Sequence, residues 1–291
     1  MFEREFSLII PTFNRGESLL EVLRYLETLE YARDQFEVIV VDDGSTDGSF
    51  QAAAELEVDY HLRLLQQSNA GAGAARNHGI REATGGFCLF IDDDVFPAPH
   101  LLYDHHQCHQ GEMRLLVRGP VINIPSLPLP PEPDNLWKHF SMNYLCTSNA
   151  SLRTELLLEA GLFDEKFDRW EDAELGVRLK RIGVKRRFTH RGYVFHLKPP
   201  LTPEETLTLA ARDGRSAAQL YRRYPTLAMK LRSGLHPLNF LRNELFTAAP
   251  LRGLYRRWLE QAPSPAAANW ARNLLAEREY LSAGRRELRK D

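Results

Sequence analysis

Cysteine is scarce in this 291-residue chain: Cys88, Cys108 and Cys146 are odd in number and far apart. Such isolated thiols read as buried or idle side chains, which excludes a disulfide framework or a zinc knuckle. No apolar run approaches the roughly 20 residues of a membrane-spanning helix. The opening Met1-Phe2-Glu3-Arg4-Glu5 has neither the n-region nor the h-region of a secretion signal, so a cytoplasmic location is expected. No internal repeat is present. The dinucleotide fingerprint is missing too, because Gly71-Ala72-Gly73 lacks the third glycine and follows the third strand pattern instead of the first.

What is there is the composition of a soluble globular protein, with 43% hydrophobic and 26% charged residues. The chain is long enough to bury a substantial core. Its formal net charge of −2 is unevenly spread. Residues 201–291 hold 16 Lys and Arg against 9 Asp and Glu, and the first 200 hold 21 against 30. That asymmetry points to two functional regions.

Strand and helix patterns alternate through the first hundred residues. Phe6–Pro11 reads as a buried strand that stops at proline, followed by 3.6-spaced apolar residues from Gly16 to Leu29. Phe36–Val41 is a β-branched run, and the turn formers Asp42–Asp47 lead into a helix through Leu56. His61–Leu65 and Gly86–Ile91 are further strands, with a small-residue helix from Ala72 to Glu82 between them. This alternation predicts an α/β fold, a mainly parallel sheet flanked by helices, with ligands beyond the carboxyl ends of its strands. Thr12–Arg15, Asp42-Asp43 and Asp92–Asp94 each directly follow a strand, so three strand ends are expected to meet at one crevice. Farther on come a histidine-rich helix and a strand around Leu115–Val117. Residues 124–133 follow with five prolines in ten residues, which form neither a regular helix nor a central strand and read as a loop or lid. Thr154–Glu159 and Asp172–Arg181 read as helices, and Val194-Phe195 as a short strand ending in His196. From Pro203 the pattern is helical and arginine-rich, broken at Pro225, Pro237, Pro250 and Pro263.

Asp92-Asp93-Asp94 carries the strongest chemical signal. Three adjacent carboxylates repel one another unless a cation or hydrogen-bond donors compensate them. A hard divalent ion such as Mg²⁺ or Mn²⁺ bridges carboxylates to substrate phosphates, a role that suits Asp92 and Asp94, whereas a solvated acidic turn is the equal rival on these residues alone. Asp42-Asp43-Gly44-Ser45 is ordinary turn chemistry, yet either carboxylate can also accept a hydrogen bond from a ribose or a base. The N–H groups opening the helix at Ala72, together with Arg76, suit a phosphate or a base. His105 and His109 lie one helical turn apart, but no further ligand at suitable spacing completes a zinc site.

In order and spacing these pieces resemble the family 2 inverting glycosyltransferases. The residues that carry the likeness are Ser7–Arg15, Val38–Asp47, Asn69–Asn77 and Phe90–Asp94. Thr147–Arg153, Gly161–Glu165 and Trp170-Glu171-Asp172 continue it and resemble the carboxyl-terminal part of galactosyltransferases. The resemblance implies a GT-A fold from about residue 6 to 196. It makes Asp92-Asp93-Asp94 the Asp-x-Asp motif, with Asp92 near the donor ribose, Asp94 on the metal and His196 as a further ligand. Pro11, Thr12, Phe13, Arg15, Asp43, Arg76, Asp92 and Asp93 would bind the donor, with Phe13 against the base. Asp172 would be the general base and Glu171 would orient the acceptor.

The implied reaction is metal-dependent, inverting transfer of a hexose from a nucleotide-sugar, expected to be a UDP-sugar, to a hydroxyl of a glycan, lipid or small molecule. A nucleotidyltransferase and a non-catalytic nucleotide-sugar sensor are the alternatives. Residues 1–200 are expected to form the GT-A domain, with 1–97 the donor half and 98–200 the acceptor half, and 201–291 a helical basic extension. For that extension, solvated faces, peripheral contact with anionic membrane at its inner face, or a homo-oligomer interface are open; nucleic acid is not expected.

Overall fold

The structure, a computed structural model, describes residues 3–133, 135–139 and 143–290. Met1 and Phe2, part of the opening read above, lie outside the described residues. The chain divides into two compact units. One runs up to Lys166 and resumes over Glu171–Pro199; the other comprises Phe167–Trp170 and the chain from Pro200 onward.

The first unit is built on a seven-stranded sheet. Its amino-terminal strands are β1 (Arg4–Thr12), β2 (Phe36–Asp42), β3 (His61–Gln66) and β4 (Gly85–Phe90). Helices α1 (Gly16–Tyr25), α2 (Ser49–Ala54) and α3 (Ala72–Glu82) connect them. Then come β5 (Val95–Pro97), α4 (Leu101–His109), β6 (Leu115–Arg118), β7 (Val121–Ile124), β8 (Ala150–Arg153), α5 (Thr154–Glu159), α6 (Glu171–Arg181), β9 (Lys185–Phe188) and β10 (Val194–Leu197). The order across the large sheet is β3-β2-β1-β4-β8-β6-β9, and β5-β10-β7 form a second, three-stranded sheet. Only β8 runs against its neighbours in the large sheet. The expected mainly parallel sheet with flanking helices is present.

Alternation along β1 fixes the two faces of this sheet. Leu8 and Ile10 join Val38, Val40, Leu19 and Leu23 on one side; Ile9 joins Phe90, Leu116, Leu152 and Leu175 on the other. Helix α3 lies close against the sheet, which Gly79 permits: a Cβ there would sit 2.8 Å from Ile9 Cγ2. β1 does not stop at Pro11 but continues to Thr12. Its pairing with β4 ends at Ile9 opposite Phe90, so the N–H that Pro11 lacks is not needed on that side. Helix α1 is shorter than the apolar spacing indicates: Leu26–Thr28 tighten into a 3₁₀ turn and Leu29 is extended. The chain leaves the helix there to bring the Glu30 N–H to the Pro99 carbonyl, 2.7 Å away. The proline-rich stretch after β7 is irregular, and Leu127 and Leu129 pack into the core.

The second unit is helical: α7 (Pro203–Arg223), α8 (Leu227–Arg232), α9 (Pro237–Phe246), α10 (Ala249–Gln261) and α11 (Pro265–Leu288). Pro203, Pro237 and Pro265 sit at first helical positions, where the missing N–H costs nothing. Thr202 and Glu205 form a reciprocal capping box on α7. Helices α7 and α11 cross closely at Gly214, where a Cβ would fall 2.0 Å from the Tyr280 carbonyl oxygen. Arg212 holds Asp168 with two hydrogen bonds, of 2.9 and 2.6 Å, which ties Phe167–Trp170 to this unit. Among the described residues no helix is long and apolar enough to cross a membrane.

Candidate active site

The three acidic or polar strand ends do meet. Thr12, closing β1, donates its hydroxyl to Asp93 Oδ2 at 2.8 Å, and Ser18 on α1 donates to the Asp93 carbonyl at 2.7 Å. Asn14 clips the β1 end to the β2 end: its N–H donates to Ser45 Oγ and its side-chain carbonyl accepts from the Thr46 N–H, both at 2.8 Å. Asn14 adopts a φ of 52° there, a left-handed conformation that asparagine tolerates.

Asp92, Asp93 and Asp94 have different surroundings. Asp92 accepts from Arg76 Nη2 through Oδ1 and from Ser148 Oγ through Oδ2, each at 2.7 Å. Desolvation pushes this carboxyl up, but the Arg76 charge and the Ser148 hydrogen bond outweigh it and hold Asp92 below its ordinary range. Asp93 is buried, and desolvation, opposed by Thr12 and Arg15, leaves it raised to about 7. Asp94 receives Arg15 Nη2 at 2.8 Å on Oδ2. Its Oδ1 is buried without a hydrogen-bond partner, although His196 Nε2 lies 3.0 Å away. One ligand atom each from Asp92, Asp94 and His196 lie within 4.8 Å of one another. His196 arrives there because β10 pairs with β5 in a register that sets it opposite Val95, the residue after Asp94.

Arg76 joins this cluster to the start of α6. Buried on α3, it donates to Asp92 at 2.7 Å and to Glu171 Oε1 at 2.9 Å, with its guanidinium 5.8 Å from the centre of the Phe163 ring. Glu171 and Asp172 open α6 immediately after Trp170, whose φ is 66°. That conformation is costly for a bulky residue and persists only where the surroundings enforce it. Burial, and then the neighbouring Glu171 charge, raise the Asp172 carboxyl to about 7. Its Oδ1 accepts the Ala173 N–H at 2.6 Å.

The remaining residues singled out by sequence take varied places. Asp43 is buried, and its two oxygens accept from Gln67 Nε2 at 2.8 Å, Ala70 N at 2.9 Å and Gly71 N at 2.7 Å. It thereby fixes the turn that opens α3. Pro11 is buried in β1, whereas the Phe13 ring is 46% exposed beside the strand ends. Two further contributors carry no role that the sequence implies. Ser148 meets Asp92 across 56 residues of sequence, and Asn77 locks α3 to the chain before α6 through Phe163 and Glu165. Ser148 lies in the Thr147–Arg153 segment that carries the resemblance, but nothing in that segment points to Asp92. His105 and His109 share a hydrogen-bond network on Ser151, and burial lowers them to about 4 and about 3, so they are neutral core groups.

A mainly parallel sheet whose central strand ends in carboxylates gathered with a histidine is the arrangement of the GT-A fold. Residues 7–148, just under half of the chain, match the model of glycosyl transferase family 2. It is 42% identical over 96 residues to the uncharacterized glycosyltransferase YibD of Escherichia coli K12, covering 32% of this chain and 27% of YibD. It is 34% identical over 102 residues to the poly(ribitol-phosphate) β-N-acetylglucosaminyltransferase TarS of Staphylococcus aureus, covering 34% of this chain and 18% of TarS. The chain thus matches less than two thirds of the length of either relative. Among solved structures it resembles the mannosyltransferase PcManGT of Pyrobaculum calidifontis in complex with GDP-Man and Mn²⁺. The TM-score is 0.69 at 19% identity, over 99% of this chain and 88% of that one. Residues 1–349 of TarS with UDP-GlcNAc give 0.57 at 18% identity, over 97% and 90%. These structural likenesses concern the fold.

Proposed function

We propose that this glycosyltransferase inverts the anomeric centre of a hexose taken from a UDP-sugar. Asp92, Asp94 and His196 would hold a divalent cation, and Asp172 would be the general base. The observation that carries the reading is the ligand cluster: one ligand atom each from Asp92, Asp94 and His196 lie within 4.8 Å of one another, and the buried Asp94 Oδ1, with His196 Nε2 3.0 Å away, has no hydrogen-bond partner. Carboxylate oxygens with one imidazole suit Mn²⁺ or Mg²⁺. Bound there, the cation supplies positive charge to the diphosphate as it leaves. Asp93, turned into Thr12 and Ser18, positions the strand end and is not a ligand in this reading.

The protein's own groups do the rest. Phe13 offers an exposed ring for the base, and Arg15, which already spans Asp93 and Asp94, offers a second positive charge near the phosphates. Asp43 and Arg76 act at the nucleoside end, Asp43 by shaping the Asn69–Gly71 turn and Arg76 by fixing Asp92. Asp172, raised to about 7, takes the proton from the acceptor hydroxyl as its oxygen attacks the anomeric carbon. Glu171, held by Arg76, orients the acceptor. Residues 1–97 then bind the donor, 98–200 the acceptor, and 201–291 form an appended helical unit. The acceptor is a hydroxyl of a glycan, a lipid or a small molecule. TarS with UDP-GlcNAc and PcManGT with GDP-Man and Mn²⁺ support a nucleotide-sugar donor, and sugar transfer by the relatives described above favours this reading over nucleotidyl transfer.

The test is nucleotide release from UDP-glucose, UDP-galactose, UDP-GlcNAc and GDP-mannose with Mn²⁺, followed by NMR of the released sugar. A UDP-sugar should be cleaved in a metal-dependent way with inverted configuration. Preference for GDP-mannose would overturn the UDP assignment, and a retained configuration would overturn Asp172 as base.

A further inference from the structure

The second unit exposes an apolar surface at odds with its helix patterning. In α9, Leu238, Leu241 and Leu245 follow the i, i+3, i+7 spacing that ordinarily turns a stripe toward a core. Here the stripe faces outward: Leu238 is 72% and Leu245 65% exposed. The core side of α9 is supplied instead by Asn243, which is buried, and by Phe240, packed against Leu235 and Leu281. The same pattern recurs on both sides. In α8, Leu227 and Leu231 are exposed one turn apart, with Met229 buried between them. In α10, Leu251 and Leu254 are exposed while Tyr255 is buried.

The charge on this stretch is one-sided. Residues 225–261 contain six Lys and Arg (Lys230, Arg232, Arg242, Arg252, Arg256 and Arg257) and two acids, Glu244 and Glu260. Exposed leucines with cations interleaved on short helices make the pattern of an interfacial segment, which sinks its apolar side into the acyl boundary and meets anionic headgroups with its cations. None of the three helices exceeds 13 residues, too short to span a bilayer. An interface between two copies is the poorer match, since it would bring two like-charged surfaces together.

We infer that α8, α9 and α10 form a docking face for an anionic phospholipid bilayer, with Leu227, Leu231, Leu238, Leu241 and Leu245 entering the headgroup boundary. Lipid docking by this face does not depend on the transfer reading, because it can be measured without donor or acceptor.

The test is sedimentation of the full chain with phosphatidylglycerol-containing vesicles, against pure phosphatidylcholine vesicles, at low and physiological salt. Binding is expected with the anionic vesicles at both salts and to be weaker with phosphatidylcholine. The variant Leu238→Glu/Leu241→Glu/Leu245→Glu should lose about tenfold or more in vesicle affinity while melting like the parent. Arg256→Glu/Arg257→Glu should weaken only the anionic arm. Failure to bind anionic vesicles at either salt would overturn the proposal, as would undiminished binding by the triple variant. A dimer in light scattering that the triple variant dissociates would also overturn it, in favour of self-association.

Discussion

Arg76 on α3 reaches Asp92 on one side and Glu171 on the other, at 2.7 and 2.9 Å, so one buried guanidinium couples the acidic strand end to the helix that carries Asp172. The two carboxylates are 79 residues apart in sequence. A lysine has a single ammonium centre and cannot match both in this geometry. Arg76→Lys is therefore expected to lose about 2 kcal/mol of stability and Arg76→Met about 3 kcal/mol, since both leave a half-buried carboxylate without its partner. Transfer should fall by roughly a hundredfold in each, because small misplacements of reacting groups carry large kinetic penalties. Thermal melts and initial rates check this; an Arg76→Met protein as stable and active as the parent would contradict the coupling.

Asp172→Asn should abolish transfer and leave UDP binding within about twofold, as expected of a group acting on the acceptor proton and not on the donor. Titration calorimetry beside a turnover assay separates the two. Full turnover in the variant would remove Asp172 as base.

The pH dependence follows from the same residue. Only the deprotonated carboxylate accepts a proton, and burial followed by the Glu171 charge raises Asp172 to about 7. Turnover in saturating metal and donor should fall as pH drops below about 7 in wild type. Stability has the opposite sign. A folded value above the unfolded one, about 4, means that ionising Asp172 destabilises the fold progressively between about pH 4 and pH 7 and fully above that. Asp172→Asn should accordingly raise the melting temperature at pH 8, by less at pH 5, and hardly at all near pH 4.

Gly79→Ala tests the packing beneath the site. The added methyl would lie 2.8 Å from Ile9 Cγ2 and 3.3 Å from Val41 Cγ2, both on buried strands. A destabilisation of about 1–3 kcal/mol is expected from overpacking, offset in part by the helix preference of alanine. Denaturant melts measure it, and an unchanged midpoint would show that α3 can lift from the sheet at no cost.

Much of this architecture was legible because the early strands announce themselves. Phe36–Val41 and Gly86–Ile91 are apolar runs ending in turn formers or acids, and α3 matches its sequence pattern from Ala72 to Glu82. The later strands carry weaker signals. β9 reads Lys-Arg-Arg-Phe and has no apolar alternation; it is held by pairing with β6, and Arg186 lies over the Tyr144 and Phe188 rings at 5.4 and 4.9 Å. β5 has three residues and ends in proline, and β8 follows the polar Thr-Ser-Asn, so each depends on a partner strand distant in sequence. The acidic triplet was visible, but its division of labour was not. Identical side chains at 92, 93 and 94 differ only through Arg76, Ser148, Thr12, Arg15 and His196, all supplied by other elements. In the second unit, the prolines marked helix boundaries correctly while giving no sign that the leucines between them face outward.

Asp92, Asp94 and His196 are proposed to form a divalent-metal site that binds the donor diphosphate. Titration calorimetry of UDP against the protein with Mn²⁺, with EDTA, and with Mn²⁺ in an Asp94→Asn variant tests it directly. Binding is expected with Mn²⁺ and should weaken by about a hundredfold or more in EDTA and in the variant, as loss of a charge-assisted ligand implies. Equal UDP affinity in all three conditions would contradict it.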